Sequence, residues 1–438
     1  MRDEPAGSPR RSGPGPRALL PASGIPLLYF TFAHVCLALA CAVLIVWPDL
    51  PGEYFFHPRM TAVVHLVTLG WISGSILGAF YIVGPLALGL PLRPGWLDRV
   101  GFVSFAAGTL GMVFSFWTGE YPALAWSAVL VAASVGHVAQ RAWRGLRRAK
   151  APWPVKLHVA LAFINMLLTS GLGVVIAVNR LGGWLPWSPQ SAAFAHAHLA
   201  AVGWAMMMVV GLSYRLIPMI VPAAMPTGSS MAASAILLQA GVGVLVVALI
   251  SGSSWTAIGA LLIVGGLVSF VARVRSIVAK RLPRPPALPR PDWATWQTHV
   301  AFMWLLVAAA IGVWLAMPGH RRRVVELEWL YGTLGLIGFL AQVIVGIQGR
   351  LLPMHGWYRA FEAGGMQPPA RSVHTLPRPR LTRLIFLMWT LAVPSLAAGL
   401  VATSPRVIAT GGTLLLGGVI LNALQMYHVA TGANRLQP

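Results

Sequence analysis

The amino-acid sequence predicts an all-α polytopic membrane protein with about twelve transmembrane helices. Hydrophobic residues make up 57% of the 438 residues, and charged residues make up only 10%. Soluble domains carry about 25% charged residues, and the mean hydropathy of this chain is +0.72. So little charge cannot cover so much apolar surface in water. Most of the chain is therefore expected to lie in lipid, where a helix satisfies its own backbone hydrogen bonds.

Long apolar runs set the predicted spans, and residues such as Pro85, Pro152 and Pro353 stand at their borders. Cys36 and Cys41 lie on the first of these helices, five residues apart, so no disulfide is expected between them. The predicted helices cover residues 25–47, 58–85, 98–118, 122–143, 155–178, 191–221, 229–251, 254–277, 294–317, 326–353, 383–403 and 407–431.

The basic residues give the expected orientation. Lys and Arg number 32 against 10 Asp and Glu, a net charge of +22. These cations lie between apolar spans rather than on one face of a soluble domain, so no nucleic-acid partner is expected. One alternating set of loops holds most of them, including Arg141, Arg144, Arg147, Arg148, Lys150, Arg273, Arg275, Lys280 and Arg281. The protein is therefore expected in a bacterial-type inner membrane with both termini on the cytoplasmic side, and residues 1–24 are expected to form a disordered tail.

Three predicted helices resemble one another in register. Each has Gly at the sixth and fourteenth residues of the matching segment and Pro at its twenty-first. Glycines two turns apart permit close helix contact, which by itself explains their positions. The segments belong to the second, sixth and tenth helices and cover residues 65–85, 198–218 and 333–353.

A second pattern occurs in the first helix of each set, where His-Val is followed by apolar residues at His34, His158 and His299. Together the two patterns predict three membrane repeats of four helices. The expected repeats cover residues 25–150, 151–285 and 286–438.

Histidines inside the predicted spans are the candidate functional residues, because ionisable side chains in membrane spans are rare and usually functional. His65 and His198 hold the same position in their segments, and His196 points about 200° away from His198 around the helix. Neutral imidazole is a usual ligand of haem iron. We therefore expect His65 and His198 to bind one low-spin haem and His196 to serve a second site. The alternative is that each imidazole hydrogen-bonds a carbonyl or hydroxyl on a neighbouring helix.

The other histidines are assigned to packing, helix ends or loops. Packing roles near the cytoplasmic side are expected for His34, His158 and His299. Helix ends, where imidazole complements the helix dipole, are expected for His137 and His428. Loop positions are expected for His57, His320, His355 and His374. Core packing rather than metal binding is expected for the consecutive Met206, Met207 and Met208.

A family resemblance rests on two segments, AHAHLAAVGWAMMMVVGLSYRLIP from Ala195 to Pro218 and HLVTLGWISGSILGAFYIVGP from His65 to Pro85. They resemble the catalytic-subunit family of haem-copper oxidases and nitric oxide reductases. That family has twelve helices in three pseudo-repeats, and the second His of its H-x-H pair shares a low-spin haem with a His on helix 2. The resemblance therefore implies a haem between His65 and His198, toward the outer side of the membrane.

The chain departs from that family at three points. Its H-x-H pair lies on the sixth predicted helix, and the tenth has Thr333 at the matching position. The seventh predicted helix carries no histidine, so the family's copper site is not expected. No carboxylate or lysine lies at a helix centre, so proton pumping and oxygen reduction are not expected either. The chain is more similar to smaller membrane haem proteins linked to the nitric oxide response.

Three functional hypotheses remain open at this point. The first is a membrane protein with one or two molecules of haem b, which transfers electrons or binds nitric oxide or oxygen. Arg59 and Arg180 are its candidate partners for haem propionates, and a quinol or another redox protein is its expected partner. The second is a membrane protein that transports or handles copper through its histidines. The third is a structural assembly subunit.

The charge distribution yields a test of orientation. Green fluorescent protein inserted after Lys150 is expected to fluoresce, and alkaline phosphatase at the same point to be inactive, because that enzyme needs disulfides that form outside the cytoplasm. Insertion after Gly183, in the next loop along the chain, is expected to reverse both results. Active phosphatase after Lys150 would contradict the assignment.

Overall fold

The computed structural model describes residues 19–21, 24–53, 56–283, 288–319, 324–370 and 372–432. Within them, twelve helices are long and apolar enough to cross a membrane, which confirms the predicted all-α multi-pass fold. His320 and most of the predicted tail lie outside the described residues. The helices are α1 (Ile25–Val46), α2 (Pro58–Leu88), α3 (Trp96–Thr118), α4 (Tyr121–Leu146), α5 (Trp153–Gly182), α6 (Pro189–Ile220), α7 (Ala232–Ser251), α8 (Thr256–Ala279), α9 (Trp293–Ala316), α10 (Val324–Ala363), α11 (Pro379–Val401) and α12 (Pro405–Gly432).

Helix α10 is longer than predicted. The sequence suggested an end at Pro353, but the helix continues to Ala363 with the proline inside it. Membrane helices tolerate an internal proline because neighbouring helices and side chains satisfy the freed backbone groups. The loop position expected for His355 is therefore wrong, since this residue lies within α10 and is buried.

Helices α2, α6 and α10 form the centre of the bundle and are its most buried spans. Each packs against the helix before it and the helix after it, and contacts between α1 and α12 close the bundle. The consecutive pairs α3–α4, α7–α8 and α11–α12 also pack extensively against each other. The same order of contacts thus recurs in each set of four helices, while the expected repeat boundaries stay a prediction.

Each central helix contains a π-helical segment of eight residues at the same place. These segments contact one another at the middle of the bundle. A π-helix leaves carbonyls without their usual partners, and side chains take up two of them here. Ser73 Oγ donates to the Thr68 carbonyl at 3.0 Å, and Asn165 Nδ2 donates to the Gly203 carbonyl at 2.9 Å. The segments are Leu66–Ser73, Leu199–Met206 and Leu334–Ala341.

The first of the two shared glycines in each central helix (Gly70, Gly203 and Gly338) permits close contact with the preceding helix. A Cβ added at Gly203 would lie 3.0 Å from Asn165 Cβ, and one at Gly338 would lie 3.0 Å from Trp304 Cβ. A Cβ at Gly70 would overlap the Cys36 side chain. At all three positions, the preceding helix therefore lies close to the backbone of the glycine, as expected for small residues.

The second glycine of each helix shows that the His-Val pattern is out of register. Gly211 lies against His158, whereas the equivalent Gly78 lies against Tyr29. His158 thus corresponds in space to Tyr29, and not to His34. The similarity of His34 and His158 is a coincidence of sequence, because helix packing places Tyr29, five residues before His34, at the position that matches His158.

The sulfur-containing residues singled out in the sequence lie in the core of the bundle. Cys36 and Cys41 are buried free thiols. Met206, Met207 and Met208 are all buried in the core, as expected for packing.

Close packing at Gly211 predicts a stability loss. Gly211→Ala places a methyl group against His158, and overpacking of this kind costs about 1–3 kcal/mol. The midpoint of thermal unfolding in detergent should fall. Gly243→Ala on α7 is the matched control, since nothing lies within 4 Å of its added Cβ, and it should not destabilise. Equal midpoints for the two variants would contradict the packing argument.

Candidate cofactor site

The candidate histidines lie just before or at the start of the π-helical segments. His65 is the last α-helical residue before the segment of α2, and His198 holds the same place in α6. The side chains before the segments are more accessible than those beyond. Residues 70–78, 202–214 and 337–346 are buried throughout, whereas His65, His196 and His198 are only half-buried. The histidine-bearing ends of the central helices are therefore more exposed than the middle of these helices.

His65 and His196 face each other across α2 and α6. Their ring centroids are 6.5 Å apart, and their planes differ by 25°. His65 Nδ1 lies 2.8 Å from the Thr61 carbonyl, to which it donates, so its Nε2 is the nitrogen left to bind a ligand. Nδ1 of His196 is buried and faces the Thr169 backbone outside normal hydrogen-bond geometry. Beside His65, the Phe116 ring lies 5.1 Å away between centroids.

His198 lies against α10 in the structure, and its pairing with His65 stays a prediction from the sequence. The ring of His198 stacks on Tyr331 of α10, with centroids 5.8 Å apart and planes 22° from parallel. Its Nε2 lies 3.1 Å from the Tyr331 hydroxyl, and its Nδ1 lies 2.8 Å from the Phe194 carbonyl. Two residues along a helix amount to a rotation of about 200°, so only one histidine of the pair can face α2.

Tyr331 is a site residue that the sequence reasoning missed. It stands two residues before Thr333, as His196 stands two residues before His198. The residue at the repeat position on one central helix thus faces the residue two before that position on the next. This rule places His65 opposite His196 and His198 opposite Tyr331. Extending the alignment upstream by two residues would have identified the tyrosine.

The predicted propionate partners contact aromatic rings in the structure. The Arg59 guanidinium is exposed and lies 5.3 Å from the centre of the Trp117 ring. The Arg180 guanidinium lies 5.4 Å from the ring centre of Tyr121 and 5.9 Å from that of Phe56. Neither arginine is brought against the facing histidines. Both remain on the side of the bundle that carries the histidines.

Within the part of the chain that the structure describes, no group of three or more His, Cys, Asp or Glu side chains could hold a metal ion. Structural zinc sites use four protein ligands, and catalytic ones use three. Haem places a smaller demand on the protein, because the porphyrin occupies four coordination positions and leaves only the axial ones. His65 and His196, whose ring centroids lie 6.5 Å apart, are the residues that could hold such a group.

His34 belongs to a buried polar network beyond the π-helical segments. Its Nδ1 donates to the Phe30 carbonyl at 2.7 Å, and its Nε2 accepts from Asn422 Nδ2 at 3.0 Å. Asn422 also donates to Gln348 Oε1 at 2.8 Å, and Gln348 Nε2 reaches Ser75 Oγ at 3.5 Å. The network joins α1, α2, α10 and α12, which supports the packing role expected for His34.

His158 takes part in a second such network. Its Nδ1 donates to the Pro154 carbonyl at 2.7 Å, and its Nε2 lies 3.0 Å from Ser234 Oγ. The Tyr214 hydroxyl lies 2.9 Å from the same oxygen. Both ring nitrogens are therefore engaged, as expected for a packing role.

Asp98 forms the third polar cluster, near the start of α3. Its carboxylate accepts hydrogen bonds from the Tyr81 hydroxyl at 2.7 Å and the Gly95 backbone at 2.6 Å, and it pairs with Arg141. His137 Nε2 lies 3.3 Å from the same carboxylate. His137 thus has a carboxylate partner, and a helix-dipole role alone does not describe it. The cluster fixes α2, α3 and α4 together.

Comparison with known proteins gives no family assignment. No protein-family model matches the chain, and a search of curated proteins finds no match. The resemblance to haem-copper oxidase catalytic subunits stays a prediction from the two motifs.

The His34 network predicts the effect of removing its central amide. Asn422→Ala leaves His34 Nε2 and Gln348 Oε1 buried without their donor, at a cost of about 1–3 kcal/mol. The unfolding midpoint in detergent should fall. Thr413→Ala, an exposed position on the same helix, serves as the control and should leave the midpoint unchanged. An unchanged midpoint for Asn422→Ala would show that the network contributes nothing to stability.

Proposed function

We propose that the chain is a b-type haem membrane protein in which His65 and His196 would together hold one haem. The observation that supports this most is the spacing of the two rings. Imidazoles that bind one metal ion from opposite sides, with metal–nitrogen bonds of about 2 Å, hold their ring centres roughly 6 Å apart. The observed distance is 6.5 Å. The proposal replaces His198 by His196 as the partner of His65.

The surroundings of the two histidines fit this role. Donation from His65 Nδ1 to the Thr61 carbonyl fixes the tautomer that leaves Nε2 for iron, and it raises the basicity of the ligand. The three histidines are partly exposed at this end of the central helices, whereas the middle of each helix is buried. Phe116 contributes an apolar wall beside His65.

Electron transfer is the activity that this site favours. When bound, haem with two axial imidazoles supplies one-electron chemistry and has no open axial position. The protein would hold the ring nitrogens in place, exclude water beyond the π-helical segments and set the potential through the apolar wall. Binding of nitric oxide or oxygen would require a second haem. His198 is a less favourable ligand for one, because its Nε2 already lies at hydrogen-bond distance from Tyr331.

The proposal includes the environment and the partner. The histidine-bearing end is assigned to the outer side of a bacterial-type inner membrane, in accordance with the distribution of Lys and Arg. An electron donor or acceptor, either a quinol or another redox protein, is required because one haem only stores one electron.

Histidine variants test the site. Purified wild-type protein should show a reduced-minus-oxidised b-type haem spectrum. His65→Ala and His196→Ala should each abolish the low-spin signal, because each removes an axial ligand. His198→Ala should retain it, since this ring contacts Tyr331 instead. The measurement is the optical difference spectrum together with haem content per chain.

The matched control is His299→Ala, at an exposed position beside Trp296, which should leave the spectrum unchanged.

Two other results would refute or revise the assignment. Loss of the low-spin signal in His198→Ala but not in His196→Ala would restore the pairing expected from the sequence. A protein without haem that carries copper would instead support the metal-handling hypothesis.

A further inference from the structure

A cavity of about 260 Å³ lies at the end of the central helices opposite the histidines. It is set between the C-terminal parts of α6 and α10 and two connecting loops. Its walls are mainly apolar, with a polar region on one side. The lining residues that matter below are Leu216, Met219, Ile347, Gly349, Arg350 and His374.

The cavity coincides with a difference among the three central helices. Tyr81 in α2 and Tyr214 in α6 occupy the same repeat position, and both rings are fully buried. Their hydroxyls meet Asp98 and Ser234, respectively. The equivalent residue of α10 is Gly349, which lines the cavity. A Cβ added at Gly349 would lie 3.0 Å from Ala294 Cβ of α9, so this helix has no room for a phenol ring here and presents its backbone to the cavity instead.

The polar region of the cavity carries little net charge. Arg350 forms an ion pair with Asp292, and His374 Nδ1 lies 3.5 Å from Arg350 Nη1. Burial and the nearby Arg350 charge both lower the pKa of His374, which keeps this imidazole neutral at pH 7. The wall therefore supplies N–H donors without an excess of positive charge. A head group with a full negative charge would meet Asp292 as well as Arg350.

The size of the cavity limits the ligand further. Pockets for drug-sized ligands measure about 300–1,000 Å³, so 260 Å³ accepts a small ring system rather than a whole lipid. Met219 lines the cavity and is 39% exposed on the surface of the bundle, so an apolar chain could leave the cavity past this side chain. Arg350 follows Tyr331 by 19 residues on α10, a separation of about 28 Å along the helix. The cavity is therefore distinct from the histidine site.

We propose that this cavity binds the neutral, carbonyl-bearing ring of an amphipathic quinone. The Arg350 and His374 side chains donate hydrogen bonds to the ring oxygens, and Leu216, Met219 and Ile347 contact the ring and the start of its apolar tail. The inference concerns binding alone, and it does not depend on haem at His65 and His196.

Binding of decylubiquinone to the full chain in nanodiscs tests the proposal. Met219→Trp fills the cavity and should weaken binding at least about tenfold, because overfilled apolar sites reject further atoms. Met225→Trp is the matched control: this methionine has similar exposure, 40% against 39%, does not line the cavity, and should bind like the wild type. His374→Ala removes one donor and should weaken binding about fivefold.

Each other outcome counts against the proposal. Equal affinity in Met219→Trp and the wild type, or no binding beyond that of empty nanodiscs, would overturn it. Competition by phosphatidylglycerol but not by a second quinone would replace the neutral ligand with an anionic lipid. His65→Ala should bind decylubiquinone normally, so failure of the haem assignment and failure of this one can be told apart.

Discussion

The structure depends on the close approach of three central helices to their neighbours at positions where glycine removes the side chain. Lipid gives no hydrophobic drive for helices to associate, so van der Waals contact and buried hydrogen bonds must hold the bundle together. At Gly70, Gly203 and Gly338, a side chain of the preceding helix occupies the space that a Cβ atom would need. The polar networks around His34, His158 and Asp98 lie among these contacts, and each joins at least three helices.

This arrangement separates two environments along the same helices. Within and beyond the π-helical segments, the core is filled by large side chains such as Trp71, Tyr214 and Phe339. Before the segments, the facing imidazoles stand in looser surroundings. A bulky planar cofactor of the kind proposed would need incomplete packing, so the proposed site depends on the distribution of close packing as much as on the two imidazoles.

Much of this architecture could be predicted from the sequence. Apolar runs identified all twelve helices, and the shared glycines identified the three central ones, because both depend on local composition and spacing. The end of α10 could not be predicted, since tertiary contacts allow Pro353 to remain helical. The partner of His65 could not be predicted either. It depends on which face of α6 turns toward α2, and a repeat alignment that began at His65 and His198 left out Tyr331.

The π-helical segments have a consequence for the direction of the histidines. Such a segment accommodates extra residues relative to an α-helix, and one residue corresponds to a rotation of about 100°. The length of the segment that follows it, Leu199–Met206, thus determines whether the His196 ring points toward α2. Loss of a single residue there would leave both ends of α6 helical, yet would turn its two imidazoles away from their present neighbours. Chain length within this stretch is thereby as strict a requirement as the identity of the ligands.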